Sequence, residues 1–159
     1  MDEKEELRNN RRRMKALIDA NHYNATRSGD FSYLVAFTGK FRDWTIRTHI
    51  YNGWFCLSTF VMELPETPGV RAAVLERVVE LNSEMAVAKF SRNGSMLKLE
   101  LECRADHVDA PAFAAHIGHY YRLLEQHYPA LFRIASGDEA LASLQNAFER
   151  PSLAAGADA

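Results

Sequence analysis

Two stretches of this chain alternate apolar and polar residues with a period of two, and three others repeat apolar residues at helical spacing. Trp44, Ile46, Thr48 and Ile50 alternate with Asp43, Thr45, Arg47 and His49, and Leu97, Leu99, Leu101 and Cys103 alternate with Lys98, Glu100 and Glu102. Each is the pattern of a strand with one wet face. Between them, Gly53 to Met62 is apolar on both alternating sets, so that strand is expected to be covered on two sides, by helices of its own domain and by a further element, a second copy or a client. Asn52-Gly53 and Asn93-Gly94 lie between strand-like runs and mark tight hairpins.

The helical stretches complete the order. Asp2 to about Asn21 carries a thin apolar stripe of Leu7, Met14, Leu17 and Ile18, with acidic residues in its first turn and Arg8, Arg11, Arg12, Arg13 and Lys15 after them. A helix so polar either docks lightly or completes its burial on a partner. Asn24 to Asp30 reads as a break, followed by strands over Phe31 to Thr38, Arg42 to Tyr51 and Gly53 to Met62. Thr67-Pro68 opens a helix to about Met85, with Val70, Val74, Val78, Leu81 and Met85 on one face and Leu75 and Val79 beside them. Val87 to Phe90 and Met96 to Cys103 form a second hairpin. Asp109 caps a helix marked by Phe113, Ile117, Tyr121, Leu124 and Tyr128, which Pro129 is expected to end. A short helix over Glu139 to Phe148 and a disordered tail over 151–159 are expected beyond the Gly137-Asp138 break.

The fold class expected is therefore α+β: helix, three antiparallel strands, helix, two antiparallel strands, helix, and an extra C-terminal helix. The 159 residues suit one domain over 1–150, and 47% apolar with 25% charged residues is ordinary globular composition. No apolar run reaches the length of about 20 residues that spans a bilayer. The acidic start, Met1 to Glu6, does not read as a secretory signal, so a cytoplasmic chain is expected. Cys56 and Cys103 then read as free thiols rather than a disulfide.

Candidate chemistry is sparse. His116 and His119 lie three apart on one helix, but Glu125 and His127 fall on other faces, so no metal site is expected and the simpler reading is that these histidines pack against aromatic rings or face water. The glycines never form a phosphate-binding run, and no nucleophile with its base stands out; no cofactor and no enzymatic activity are expected. Among the sheet aromatics, alternation must send some outward, and aromatic anchors are common at protein interfaces. Trp54, Phe60, Met62 and Tyr51 are the candidates for a partner or dimer interface. An alternative is direct binding of single-stranded nucleic acid by the sheet and the basic first helix, against which stand the net charge of −2 and the neighbouring glutamates.

From Asp2 to Tyr128 the succession of elements resembles the fold of type III secretion chaperones and of the related YbjN family, proposed regulators of sensory transduction. The segment most similar is Val70 to Tyr128: a helix ending in Leu81-Asn82, a short strand with Lys89-Phe90, a turn at Asn93-Gly94, an acidic apolar strand over Leu97 to Leu101, and a closing helix. The resemblance implies a domain without a catalytic centre, usually a homodimer, that holds extended or partly folded segments of a client protein. The mild acidity and the extra helix after Ser136 favour the YbjN side, with a client in stress response or nucleic-acid metabolism.

Overall fold

The computed structural model describes residues 2–137. The helix expected over Glu139 to Phe148 and the tail lie outside them. Helix α1 (Glu3–Ala20) is followed by β1 (Ala25–Ser28), β2 (Ser32–Phe37), β3 (Trp44–Tyr51) and β4 (Trp54–Glu63). Helix α2 (Pro68–Glu84) leads to β5 (Ala88–Asn93) and β6 (Met96–Arg104), and helix α3 (Ala110–Ser136) follows a single 3-10 turn, Ala105–His107. The strands form one antiparallel sheet in the order β1-β2-β3-β4-β6-β5. The α+β order read from the sequence stands, with one strand added.

The added strand occupies the segment read as a break. Ala25–Ser28 pairs with β2 from Ala25↔Val35 to Ser28↔Ser32, at the sheet edge. A short edge strand needs only backbone hydrogen bonds, so its side chains carry no alternation to read. The two Asn-Gly dipeptides make different turns. At the β3–β4 hairpin both Asn52 and Gly53 have positive φ, 49° and 76°, the type I′ pattern; at β5–β6 only Gly94 does, at 60°, so Asn93 stays in the strand and Gly94-Ser95 form the loop.

One contiguous core lies between the sheet and the helices. Trp44, Ile46, Ile50, Phe55, Leu57, Leu97, Leu99 and Leu101 meet Met14 and Ile18 of α1, Val74 and Leu81 of α2, and Phe113, Ile117, Tyr120, Leu124 and Leu131 of α3. Helix α1 buries only Met14, Leu17 and Ile18. Polar side chains add to this docking: Arg13 donates to the carbonyls of Ala105 and Val108, and the C-cap Asn21 donates through Nδ2 to Ala110 O at 3.0 Å.

Two helix expectations need correction. Pro129 does not end α3, which continues to Ser136 with Gly137 as its C-cap. Burial of Leu131 and the packing of Phe132 on Tyr128 at 5.6 Å offset the hydrogen bond the proline removes. Val79 does not join the buried face of α2 but stands 69% exposed.

The soft motif Leu81-Asn82 with Lys89-Phe90 has a physical basis. Phe90 N donates to Asn82 Oδ1 at 2.7 Å and Asn82 Nδ2 donates to Phe90 O at 2.9 Å, while the Lys89 ammonium donates to the carbonyls of Asn82 and Met85. One asparagine thus pairs backbone groups on the outer edge of β5, an edge otherwise open to another strand. Among the described residues no helix is long and apolar enough to cross a membrane.

Candidate partner-binding surface

The strand β4 buries Phe55, Leu57 and Thr59 toward the helices and turns Trp54, Cys56, Ser58 and Phe60 to the opposite face. The same alternation sends Thr45, Arg47, His49 and Tyr51 of β3 and Lys98, Glu100 and Glu102 of β6 to that face. No described helix covers it. The double coverage expected for this strand is therefore half fulfilled: the core takes one side and the other is open.

Three of the four residues expected at an interface lie on the open face. Tyr51, Trp54 and Phe60 are 43%, 44% and 41% exposed. Met62 is not among them, being buried in the core at 8%. The reason is a β-bulge: Phe60 pairs with Lys98 and Met62 with Leu97, so Val61 is an extra residue and the alternation resets. A strict period of two had put Phe60 and Met62 on one side; the bulge puts them on opposite sides. Arg42 braces it by donating to Val61 O at 2.9 Å while lying over the Trp44 ring at 4.7 Å.

The open-face aromatics form two groups rather than one. Tyr51 and Trp54 are direct cross-strand partners beside the hairpin turn. Phe31 packs on Tyr51 at 6.1 Å and edge-on to His49 at 5.6 Å, and the Arg104 guanidinium sits 5.9 Å from the Trp54 ring. Phe60 stands about 20 Å along β4 from Trp54, by strand rise. There it joins Leu34 and Met96 around a groove of about 400 Å³. A second groove of about 470 Å³, lined by Phe60, Met62, Tyr128 and Phe132, lies on its other side toward the end of α3. Phe31, expected as the first residue of its strand, stands instead in the turn before β2 and is exposed, and Met96 escaped the sequence reading of the surface because it begins a strand whose other outward residues are charged.

The titratable groups on this face do not assemble a reactive centre. His49, Cys56 and Glu102 are neighbours across three strands. Burial, with Glu102 adding to it, pushes the Cys56 thiol up to about 11, so it stays protonated at neutral pH. Burial and then Arg47 hold His49 below the usual imidazole value, and its Nδ1 has no hydrogen-bond partner among the described residues. Cys103 lies on the core side, its Sγ 3.7 Å from His116 Nε2, with burial raising the thiol and lowering the imidazole. His116 and His127 pack on Phe55 and Phe90, as the aromatic-packing reading expected. Among the described residues no group of His, Cys, Asp or Glu is placed to hold a metal ion. Glu125 is a structural group: it accepts from Trp44 Nε1 at 2.5 Å and from Lys40 N at 2.8 Å.

No protein-family model matches the chain, and no curated protein sequence matches it. Solved structures do. A chain of the ExsC-ExsE complex aligns with a TM-score of 0.57 at 9% identity, over 82% of this chain and 97% of that one. YbjN from E. coli aligns with a TM-score of 0.52 at 9% identity, over 72% of this chain and 87% of YbjN. A chain of the ExoU-SpcU complex from the type III secretion system of Pseudomonas aeruginosa matches at a lower TM-score of 0.45, with 14% identity, over 73% and 84%. The helix-and-sheet arrangement of this chain is thus the one seen in YbjN and in the ExsC-ExsE complex, and the YbjN-like and secretion-chaperone-like resemblance carried by its element order holds at the level of the fold.

Proposed function

We propose that this chain is a non-enzymatic, chaperone-like adaptor or regulator that holds a segment of a partner protein on the open face of its sheet. The observation that carries this reading is the exposure of Tyr51, Trp54 and Phe60 on a face that no described helix covers. Large aromatics left half in water are the usual anchors of protein interfaces. An antiparallel sheet with helices on one side can also accept an extended segment. The likeness to a chain of a two-protein complex, ExsC-ExsE, supports the same reading.

The nucleic-acid alternative has lost part of its basis. Arg13 is spent on the backbone after β6, Arg11 donates to Asp30 O, and Lys15 pairs with Asp19 at 2.6 Å.

The test is capture of partners by the tagged chain, with and without nuclease, compared with a Phe60→Asp variant of unchanged melting temperature. A protein retained through nuclease and lost with Phe60→Asp supports the reading, and its identity decides whether the client acts in stress response or nucleic-acid metabolism. Recovery of nucleic acid alone, or of proteins lost on nuclease treatment, sinks it. Sedimentation of the purified chain tests the homodimer that belongs to the same reading.

A further inference from the structure

The groove beside Phe60 has a chemical character of its own. Its walls are Leu34, Phe60 and Met96 with Arg47 and Lys98, and none of its nine lining residues is acidic. Lys98 lies directly opposite Phe60 on β6, and Arg47 stands opposite Leu34 on β3, so a cation borders the apolar floor on each side. Neither cation is in an ion pair among the described residues. Lys98 is half-buried as a residue, which lays its aliphatic stem against the apolar floor. The carboxylate next along β6, Glu100, is engaged by the Ser91 hydroxyl.

Building on the partner-binding reading above, we infer that this groove takes an acidic, apolar segment of the partner: an extended stretch in which a buried aliphatic or aromatic side chain is flanked by Asp or Glu. The apolar side chain fills the space between Leu34, Phe60 and Met96, and the flanking carboxylates complete Arg47 and Lys98. Charge-assisted hydrogen bonds at the rim of an apolar groove fix register and discriminate against basic sequences. A polyphosphate fits less well. The floor of Leu34, Phe60 and Met96 offers a phosphate chain nothing to bury, and the groove has only the two cations, Arg47 and Lys98, to meet its charges. A free fatty acid also fits poorly, because an alkyl chain needs enclosure and both Phe60 and Met96 stand more than 40% exposed, at 41% and 43%.

The experiment measures binding of two fluorescent peptides by the full chain, one alternating phenylalanine with aspartate and the other alternating phenylalanine with lysine. The wild type is expected to bind the aspartate peptide at least about tenfold more tightly, an advantage that shrinks as salt rises. The doubly reversed variant Arg47→Glu, Lys98→Glu is expected to invert the preference while keeping its melting temperature. Equal affinity for both peptides, or an unchanged preference in the doubly reversed variant, overturns the inference. So does displacement of the aspartate peptide by dodecanoate or by oligodeoxythymidylate. If the aspartate peptide does not bind and the double reversal turns a dimer into a monomer, the groove belongs to a second copy and the inference is again overturned. Capture of the cellular partner separates the two levels: a partner lost with Phe60→Asp but kept by the double reversal leaves the adaptor reading standing and removes only the acidic chemistry.

Discussion

Asn82 holds both backbone groups of Phe90, accepting from its N–H at 2.7 Å and donating to its carbonyl at 2.9 Å. Replacing Asn82 with Ala leaves two polar groups unpaired at a partly buried edge, at a cost of about 1–3 kcal/mol. The expected result is a lower melting temperature together with concentration-dependent association through the freed edge of β5. Light scattering and thermal melts across a concentration series check this. An Asn82→Ala chain with unaltered melting and association would show that the edge is held by other contacts.

Glu125 ties the β2–β3 connection to α3 through Trp44 Nε1 and Lys40 N. Trp44 is 1% exposed, so Glu125→Ala strands a buried indole donor and is expected to cost about 2 kcal/mol. Gly39 belongs to the same junction: a Cβ there would collide with the Arg42 carbonyl and Glu125 Oε1 and come within 2.8 Å of Trp44 Nε1. Gly39→Ala is therefore also expected to lower stability, measurable by urea denaturation. A neutral Gly39→Ala would mean that the connection moves aside freely.

Phe60 and Met62 are two residues apart and should respond oppositely to the same change. Phe60→Asp adds a charge to an exposed position, and a surface substitution of this kind usually shifts stability by less than about 0.5 kcal/mol. Met62→Asp buries an unpaired carboxylate and is expected to unfold the chain. Circular dichroism of the two variants checks the opposite placement that the bulge at Val61 imposes: loss of helical content in both would place Phe60 in the core.

Cys56 and Cys103 sit on opposite faces of the sheet, on neighbouring strands where Cys56 pairs with Glu102 and Cys103 with Phe55. Their Cβ atoms point apart, so no intramolecular disulfide can form without backbone movement. With its thiol near 11, Cys56 is thiolate in only about one molecule in a thousand at pH 8. Thiol titration should find two slowly reacting groups in the native chain and two fast ones after denaturation, with no intramolecular cross-link on mild oxidation.

Burial is the leading cause that holds His49, His116 and His127 below 6.5; Arg47, His119 and Arg77 respectively add to it, and Glu84 opposes it at His127. Well above pH 6.5 these imidazoles are neutral in both folded and unfolded chains. As pH falls through 6.5 the unfolded chain takes up protons that the folded chain refuses, so stability declines and levels off once the folded values are passed. Thermal melts from about pH 8 to about pH 5 should show this fall, with a shallower slope in His49→Gln. A melting temperature that rises on acidification would contradict the burial of these rings.

Much of the architecture was already determined by the sequence alone. The alternation in β3 and β6 set their wet and dry faces, the helical stripes placed α2 and α3, and the Asn-Gly dipeptides located both hairpins, because burial of one face and positive φ are local demands that residue type must meet. Only the tertiary structure decided the rest. Strand β1 is bonded through its backbone and leaves no side-chain pattern. Pro129 is tolerated because Leu131 and Phe132 pack beyond it. A single extra residue at Val61 moves Met62 into the core and leaves Phe60 outside. The groove beside Phe60 likewise gathers Leu34, Arg47, Lys98 and Met96 from three other strands, β2, β3 and β6. Periodicity reports which residues share one element's face, whereas strand order and register, set by long-range pairing, determine which faces lie side by side and which remain open to a partner.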